Sequence, residues 1–359
     1  MSDNEPVTEA HLTTCFAGAL LGTAVGDSVG LPAEGLSRKR VKQLWNGQWR
    51  QRLIFGRGMI SDDTEHTLFV AQSLLSCSDN ATTFQKSLAW KLRLWLLGLP
   101  AGIGLGTLRA IIKLWLGFPP HRSGVNSAGN GPAMRSAIIG VFFFDAPQKR
   151  SAFISASTRL THSDPRAETA ALAVAEAAAW AVQKKSSIET LLDELSRLGC
   201  DIEWQSLCKR MSQAFTSRQS VDAFVESLGL GEGVTGYAYH TVPVALYAWL
   251  SSPNDFRAAL ESSLNCGGDT DTVGAIVGAL AGVSAGTKSI PAEWLNRLCD
   301  WPRSPRVLER VAQQLAKQKS ADRSLGPVPY FWPGLLLRNV MFIATVLVHG
   351  SRRVPFLFK

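Results

Sequence analysis

Apolar residues recur along this chain at helical rather than strand spacing. Between Thr64 and Ser76, Leu68, Ala71 and Leu75 fall on one helix face. Arg166 to Gln183 is alanine-rich and opens after Asp164-Pro165, a good helix start. Ile188 to Leu198 and Ser304 to Lys317 alternate as amphipathic helices do, and Ala133 to Phe144 reads as a further apolar helix. The apolar stretch from Phe16 to Val25 meets Asp27 at once, which suits a core helix. Gly117 to Pro120, Ser123 to Pro132 and Gly229 to Gly236 carry the residues of loops. Alternating β-branched runs are rare, so the pattern predicts an all-α fold. No long linker interrupts it. One domain over residues 1–320 is expected, followed by a distinct extension over 321–359.

Glycine adds a second pattern. Gly18, Gly22, Gly26 and Gly30 recur every four residues, and so do Gly274, Gly278, Gly282 and Gly286. That spacing lines glycines along one side of a helix. Each costs about 1 kcal/mol against alanine in a helix interior, so a stripe calls for a packing reason. Close approach of another backbone supplies one. The two striped helices are expected to cross tightly, no farther apart than the usual pair spacing of about 8–10 Å.

The extension is unlike the rest. Gly334 to His349 is apolar except for Arg338 and Asn339, and Arg352, Arg353 and Lys359 follow. It falls short of the roughly 20 clean apolar residues of a membrane span. A helix docked on the core is expected; a basic helix in peripheral contact with a membrane is the alternative.

Composition narrows the class. With 46% hydrophobic and 18% charged residues in 359, the chain can bury a sizeable core, which excludes general disorder. The start, MSDNEPVTEA, is unlike the basic start of a secretory signal. Cysteines at 15, 77, 200, 208, 266 and 299 form no CxxC, so reduced thiols in a cytoplasmic protein are expected. The net charge is +8, and 35–61, 80–144 and everything after Asp322 hold no acid. Such segments favour anionic partners, although a solubilising face reads equally well. Trp45 and Trp49 lie beside Arg50 and Arg52, but no nucleic-acid motif accompanies them.

Candidate chemistry concentrates in two acidic clusters, Ser61-Asp62-Asp63-Thr64 and Gly267-Gly268-Asp269-Thr270-Asp271-Thr272. Adjacent carboxylates repel unless solvent, protonation or a cation relieves them. Carboxylate and hydroxyl oxygens suit hard cations such as Mg²⁺, Mn²⁺ or Ca²⁺. Each cluster also opens a helix, where carboxylates serve as plain caps. The loop Gly129-Asn130-Gly131-Pro132 offers backbone N–H groups to a phosphate, and Gly102-Ile103-Gly104-Leu105-Gly106 does so more weakly. His162 precedes the alanine-rich helix, Glu34 stands in a loop, and Tyr237, Tyr239 and His240 enter another helix. Packing or capping explains each of these equally well.

Together these segments resemble the ADP-ribosylglycohydrolase family. The matching stretches are GALLGTAVGDSVGLPAEG (18–35), SDDTEHTLFVAQSL (61–74), SAGNGPAMRSAIIG (127–140), THSDPRAETAALA (161–173), TGYAYHTVPVALYA (235–248) and CGGDTDTVGAIVGALAG (266–282). The resemblance implies a compact orthogonal helical bundle and a site for two Mg²⁺ ions, with Mn²⁺ as a substitute. By motif match the metal ligands are Ser61, Asp62, Asp63, Asp269, Asp271 and Thr272. Glu34 matches a loop glutamate near the metals. Ser127, Gly129, Asn130 and Gly131 match a diphosphate cradle, His162 a ligand-contacting histidine, and Gly102, Gly104 and Gly106 another substrate loop.

The expected reaction is hydrolysis of an N-glycosidic ADP-ribosyl bond, on protein arginine, by a monomer that releases ADP-ribose. Reversal of a toxin's modification is one setting for it. Glu34, Asp62 and Asp63 are the candidates for the base. An O-linked or nucleic-acid adduct is the rival substrate, and a non-catalytic binding protein of the same fold is the rival class.

Overall fold

The computed structural model describes residues 7–184 and 187–353. The first six residues and the last six, Lys359 included, lie outside the described residues. Helix makes up 68% of the structure and no strand forms among the described residues, in line with the all-α expectation.

Two helices run through the centre, Glu9–Gly30 and Thr270–Ala285. Both are buried along most of their length, which is why they are apolar on nearly every side. They are antiparallel, and the glycine stripes form the seam. A Cβ on Gly18 would overlap the Gly282 carbonyl, one on Gly22 that of Gly278, one on Gly26 that of Gly274, and one on Gly30 that of Thr270. Backbone therefore meets backbone along the whole crossing. Gly286 is not part of the seam. It ends the second helix with φ +77°, and a Cβ there would face the Thr14 side chain. Gly278→Ala is expected to cost about 1–3 kcal/mol in urea unfolding, as overpacking does. Gly231→Ala, at a position with open space around it, serves as the neutral control. Equal midpoints for the two would refute the seam.

The seam also sets the site. Because Gly26 faces Gly274 and Gly30 faces Thr270, the end of the first helix lies beside the start of the second. Asp27 and Asp269 thereby both come to act on Asp63. A third helix, Asp62–Ser76, packs against the first and presents its own start to the same place. Pro165–Val182, Ala238–Ser251 and Pro305–Ala321 enclose the central pair.

Local expectations differ from the structure mainly at element ends. The helix expected over Ala133–Phe144 is two pieces, Gly131–Met134 and Ala137–Phe142. Between them Arg135 leaves helical geometry, and its buried guanidinium donates to Ser157 Oγ (3.1 Å), the Ser157 carbonyl (3.0 Å) and Thr161 Oγ1 (2.8 Å).

The extension folds back over the domain. Ser324 Oγ donates to the Leu75 carbonyl, and the Gln72 side chain pairs with both backbone groups of Val328. The helix Gly334–Arg353 then docks through polar groups. Arg338 donates to Asp300, Glu65 and the Ile60 carbonyl, and Asn339 Nδ2 donates to the Gly98 carbonyl at 2.7 Å. His349 Nε2 lies 3.1 Å from the Pro32 carbonyl oxygen. Phe342 is buried against Leu31 and Met59.

Candidate active site

Asp27 organises the first cluster. Its carboxylate accepts from the Ser61 N–H (2.9 and 3.1 Å), the Thr64 N–H (3.3 Å) and Thr64 Oγ1 (2.5 Å). Burial nonetheless pushes its carboxyl up to about 7, against the pull of those hydrogen bonds. Ser61 caps its own helix by accepting from the Asp63 N–H, and its hydroxyl donates to Asp63 Oδ2 at 3.0 Å.

The second cluster arrives on a tight backbone turn. Gly267 and Gly268 both have positive φ, and a Cβ on Gly268 would overlap Val234. Gly268 exchanges backbone hydrogen bonds with Gly35 and Leu36, next to Glu34, while the Asp269 N–H donates to the Val234 carbonyl. Across the site, Thr272 Oγ1 donates to Asp63 Oδ2 at 3.4 Å. Two segments 209 residues apart thus meet.

The carboxyls of the two clusters act on one another. Burial, followed by Asp62, Asp27 and Asp269, holds the Asp63 carboxyl well above the usual range. Burial, then Glu34, Asp269 and Asp63, does the same to Asp271. Burial, then Asp27, Glu65 and Glu34, does it to Asp62. Asp63 Oδ1 and Asp271 Oδ1 are buried without a hydrogen-bond partner. No three His, Cys, Asp or Glu side chains among the described residues close into a cation sphere by themselves. The cluster is an open one of mixed carboxylates and hydroxyls, with two stranded oxygens and mutual repulsion. Those are the features a hard cation would relieve, so the residues fit the ions that the resemblance implies.

Glu34, Ser61, Asp62 and Asp271 line one cavity of about 120 Å³, closed on its other side by Ala101, Gly102 and the C-terminal helix through Phe342, Val346 and His349. Whole-ligand sites start near 300 Å³, so this cavity suits one end of a substrate. The glycine loops adjoin it. A Cβ on Gly106, Gly129 or Gly131 would lie 3.0–3.3 Å from the His162 ring, and Ser127 Oγ sits beside the first two. His162 is buried beneath these loops, and burial, then the Arg135 charge, lowers it to about 3. It is therefore a neutral support at physiological pH. Gly104 opens the helix Leu105–Trp115 with open space above it. Asn130 joins loop to cluster: its Nδ2 donates to Asp269 Oδ2 (2.6 Å) and Thr241 Oγ1 (2.9 Å). Tyr239 is a packed residue whose hydroxyl donates to Asp201, whereas Tyr237 stays at the rim. A larger surface groove of about 830 Å³, around Glu189, Asp193 and Lys209, holds none of these residues.

The family model described as ADP-ribosylglycohydrolase matches residues 8–324. The chain belongs to the ADP-ribosylglycohydrolase family. It is an ADP-ribosylhydrolase, a glycosidase-type hydrolase that takes an ADP-ribosylated substrate and yields ADP-ribose. It is 32% identical to an uncharacterised protein of Archaeoglobus fulgidus over 84% of this chain and 95% of the relative. It is 27% identical to ADP-ribosyl-[dinitrogen reductase] glycohydrolase of Rhodospirillum rubrum, covering 78% and 89%. It is also 28% identical to ADP-ribosylhydrolase ARH3 of Mus musculus, covering 85% and 92%. A solved structure titled ADP-ribosylglycohydrolase-related protein complex superposes with TM-score 0.63 at 26% identity, over 86% of this chain and 99% of that one.

Three features of this ADP-ribosylglycohydrolase site are tertiary. Asp27 was visible as an acid inside a glycine-striped helix, yet its role as the cap of another helix start is tertiary. The bond from Asn130 to Asp269 left no local mark. Nor did the contribution of Phe342, Val346 and His349 to the cavity.

Proposed function

We propose that this ADP-ribosylhydrolase cleaves the N-glycosidic bond of ADP-ribosylated arginine in a Mg²⁺-dependent reaction. One observation carries the reading: Glu34, Ser61, Asp62 and Asp271 line a single sugar-sized cavity beside two glycine loops. Ser61, Asp62, Asp63, Asp269, Asp271 and Thr272 would hold two ions. When bound, such ions neutralise the carboxylates and orient ribose hydroxyls. The chain's own residues do the rest. Backbone groups of the 102–106 and 127–131 loops receive the diphosphate. Asn130 fixes the Asp269 carboxylate, and Asp27 fixes the Ser61–Thr64 turn. Cleavage builds oxocarbenium character at the anomeric carbon, which the facing carboxylates stabilise. Glu34, exposed beside the cavity it lines, would take a proton from the attacking water. Arginine's guanidinium, as the departing group, suits an acid-lined mouth. The same hydrolysis would undo the modification left by an ADP-ribosylating toxin.

The test is release of ADP-ribose from modified arginine, serine and DNA, with Mg²⁺ and with EDTA. Release from arginine that stops with EDTA and returns with Mg²⁺ is expected. Release that survives EDTA would sink the metal dependence, and faster release from serine or DNA would reassign the linkage.

A further inference from the structure

The C-terminal helix Gly334–Arg353 is built inside out. Arg338, Asn339, Phe342 and His349 face the domain. Leu336, Leu337, Val340, Met341, Leu347 and Val348 face outward and are exposed. A soluble docked helix normally shows the reverse arrangement. Residues 334–351 are long and apolar enough to cross a membrane by length and composition, yet Arg338 and Asn339 tie the helix to the domain surface. The helix lies outside the matched family region, which ends at residue 324.

Its outer face continues onto neighbouring segments. Asn339 binds Gly98, flanked by exposed Leu97 and Leu99. Trp90, Leu94 and Leu97 share one face of the helix Ala81–Leu97, with the Arg93 guanidinium over the Trp90 ring. Arg93 in turn bonds the Leu114 carbonyl, joining the helix Leu105–Trp115, which exposes Ile112 and Trp115. The charge of these segments is one-sided. Among the described residues, every exposed large apolar side chain except Ile202 and Trp301 lies in one of the three stretches that hold no acid. Those stretches carry the exposed Arg109 and the partly exposed Arg93 and Lys113.

We infer that this face, centred on the helix Gly334–Arg353, docks on an anionic lipid bilayer. The aliphatic side chains enter the acyl boundary and the cations meet headgroups. Phe331 and Trp332, exposed at the start of the helix, take the interfacial position that aromatic rings favour. A second copy would set one acid-free cationic face against another, whereas a bilayer of anionic lipid complements both the charge and the apolar groups. The outward side chains of the helix itself from Leu336 to Val348, leucine, valine and methionine, offer no stacking surface for bases. The docking places the hydrolase with its cavity beside the membrane surface, since Phe342 and His349 of the same helix line that cavity.

The experiment is co-sedimentation of the full chain with vesicles of phosphatidylcholine alone and of phosphatidylcholine with phosphatidylserine. The wild type is expected to pellet with the phosphatidylserine vesicles, less with phosphatidylcholine alone, and less again as salt rises. Leu337→Glu, Met341→Glu and Val348→Glu combined should lower the partition at least about tenfold, because burial of three apolar side chains exceeds one decade of binding. Its thermal midpoint and its release of ADP-ribose in solution should match the wild type. A wild type that stays in the supernatant with both vesicles overturns the inference. So does a combined variant that pellets normally, or a wild-type dimer that the variant turns to monomer without vesicle binding. Displacement by nucleic acid in place of vesicles would also overturn it. Vesicle binding is read without any assumption about linkage or metal, so its failure and that of the hydrolase reading are separate outcomes.

Discussion

Asp63→Asn with Asp271→Asn is expected to lower kcat/KM for ADP-ribose release by on the order of 1,000-fold and to abolish stabilisation by Mg²⁺. The rate estimate follows from several kcal/mol of charge stabilisation lost with the ions. The stability effect follows from the stranded oxygens of these two residues. An ion that binds only the folded chain stabilises it by about 2.7 kcal/mol at one hundred times its Kd. The same variant should be more stable than wild type in EDTA, because repulsion among buried carboxylates is relieved. The pH dependence has a definite sign. Burial raises Asp27 to about 7, so the folded state holds that proton more tightly than the unfolded chain does. Its stabilising contribution is complete below the ordinary carboxylate value of about 4 and is lost as pH rises through about 7. Metal-free protein should therefore lose stability across that window, and Mg²⁺ should flatten the loss. Thermal unfolding with Mg²⁺ or EDTA across the window measures all of this. Equal Mg²⁺ shifts in wild type and variant would remove these two residues from the metal site.

Arg338→Ala should destabilise the fold by about 3–5 kcal/mol in urea unfolding, the usual result of breaking a buried ion pair. Arg338 is 4% exposed and its partner Asp300 2% on side-chain area. Burial pushes the Asp300 carboxyl up in spite of Arg338, while Asp300 and Glu65 raise the guanidinium despite its own burial. The forked contact, Nε to Oδ1 at 3.2 Å and Nη2 to Oδ2 at 2.5 Å, is that of a charged pair, and the geometry decides the matter. Without Arg338 the Asp300 carboxylate is left buried without a counter-charge. Asp300 Oδ2 also accepts from the Ile60 N–H, next to Ser61, so the loss should reach the site and lower activity as well. Adding Asp300→Ala should recover part of the stability, since no unpaired charge then remains. A loss below about 1 kcal/mol for Arg338→Ala would show that the extension is not integral to the domain.

Much of the candidate site was legible before the fold. Hydroxyls and paired carboxylates at two helix starts carry their chemistry in residue type, and Gly129-Asn130-Gly131 carries its in small size. The glycine stripes were legible for the same reason, because each absent Cβ records a close neighbour. Gly286 was misread as the fourth member of its stripe, since four-residue spacing cannot tell a helix interior from its end. The break at Arg135 was invisible because a buried hydrogen-bond net, not local propensity, decides it. Arg338 and Asn339 looked like interruptions of an apolar segment. In the structure they lie on its inner face beside Phe342, and most of its apolar residues lie on the outer one.

The sequence by itself determined the helical class, the family, the two acidic clusters and the seam that needed glycine. These depend on residue type and short-range spacing, which the chain carries openly. Only the tertiary structure decided that Asp27 caps the start of another helix, that Asn130 holds Asp269, and that the C-terminal helix turns Arg338 and Asn339 inward and lines the cavity with Phe342 and His349. Those pairings join residues far apart in the chain, and their energy comes from mutual burial and hydrogen bonding that no local pattern encodes.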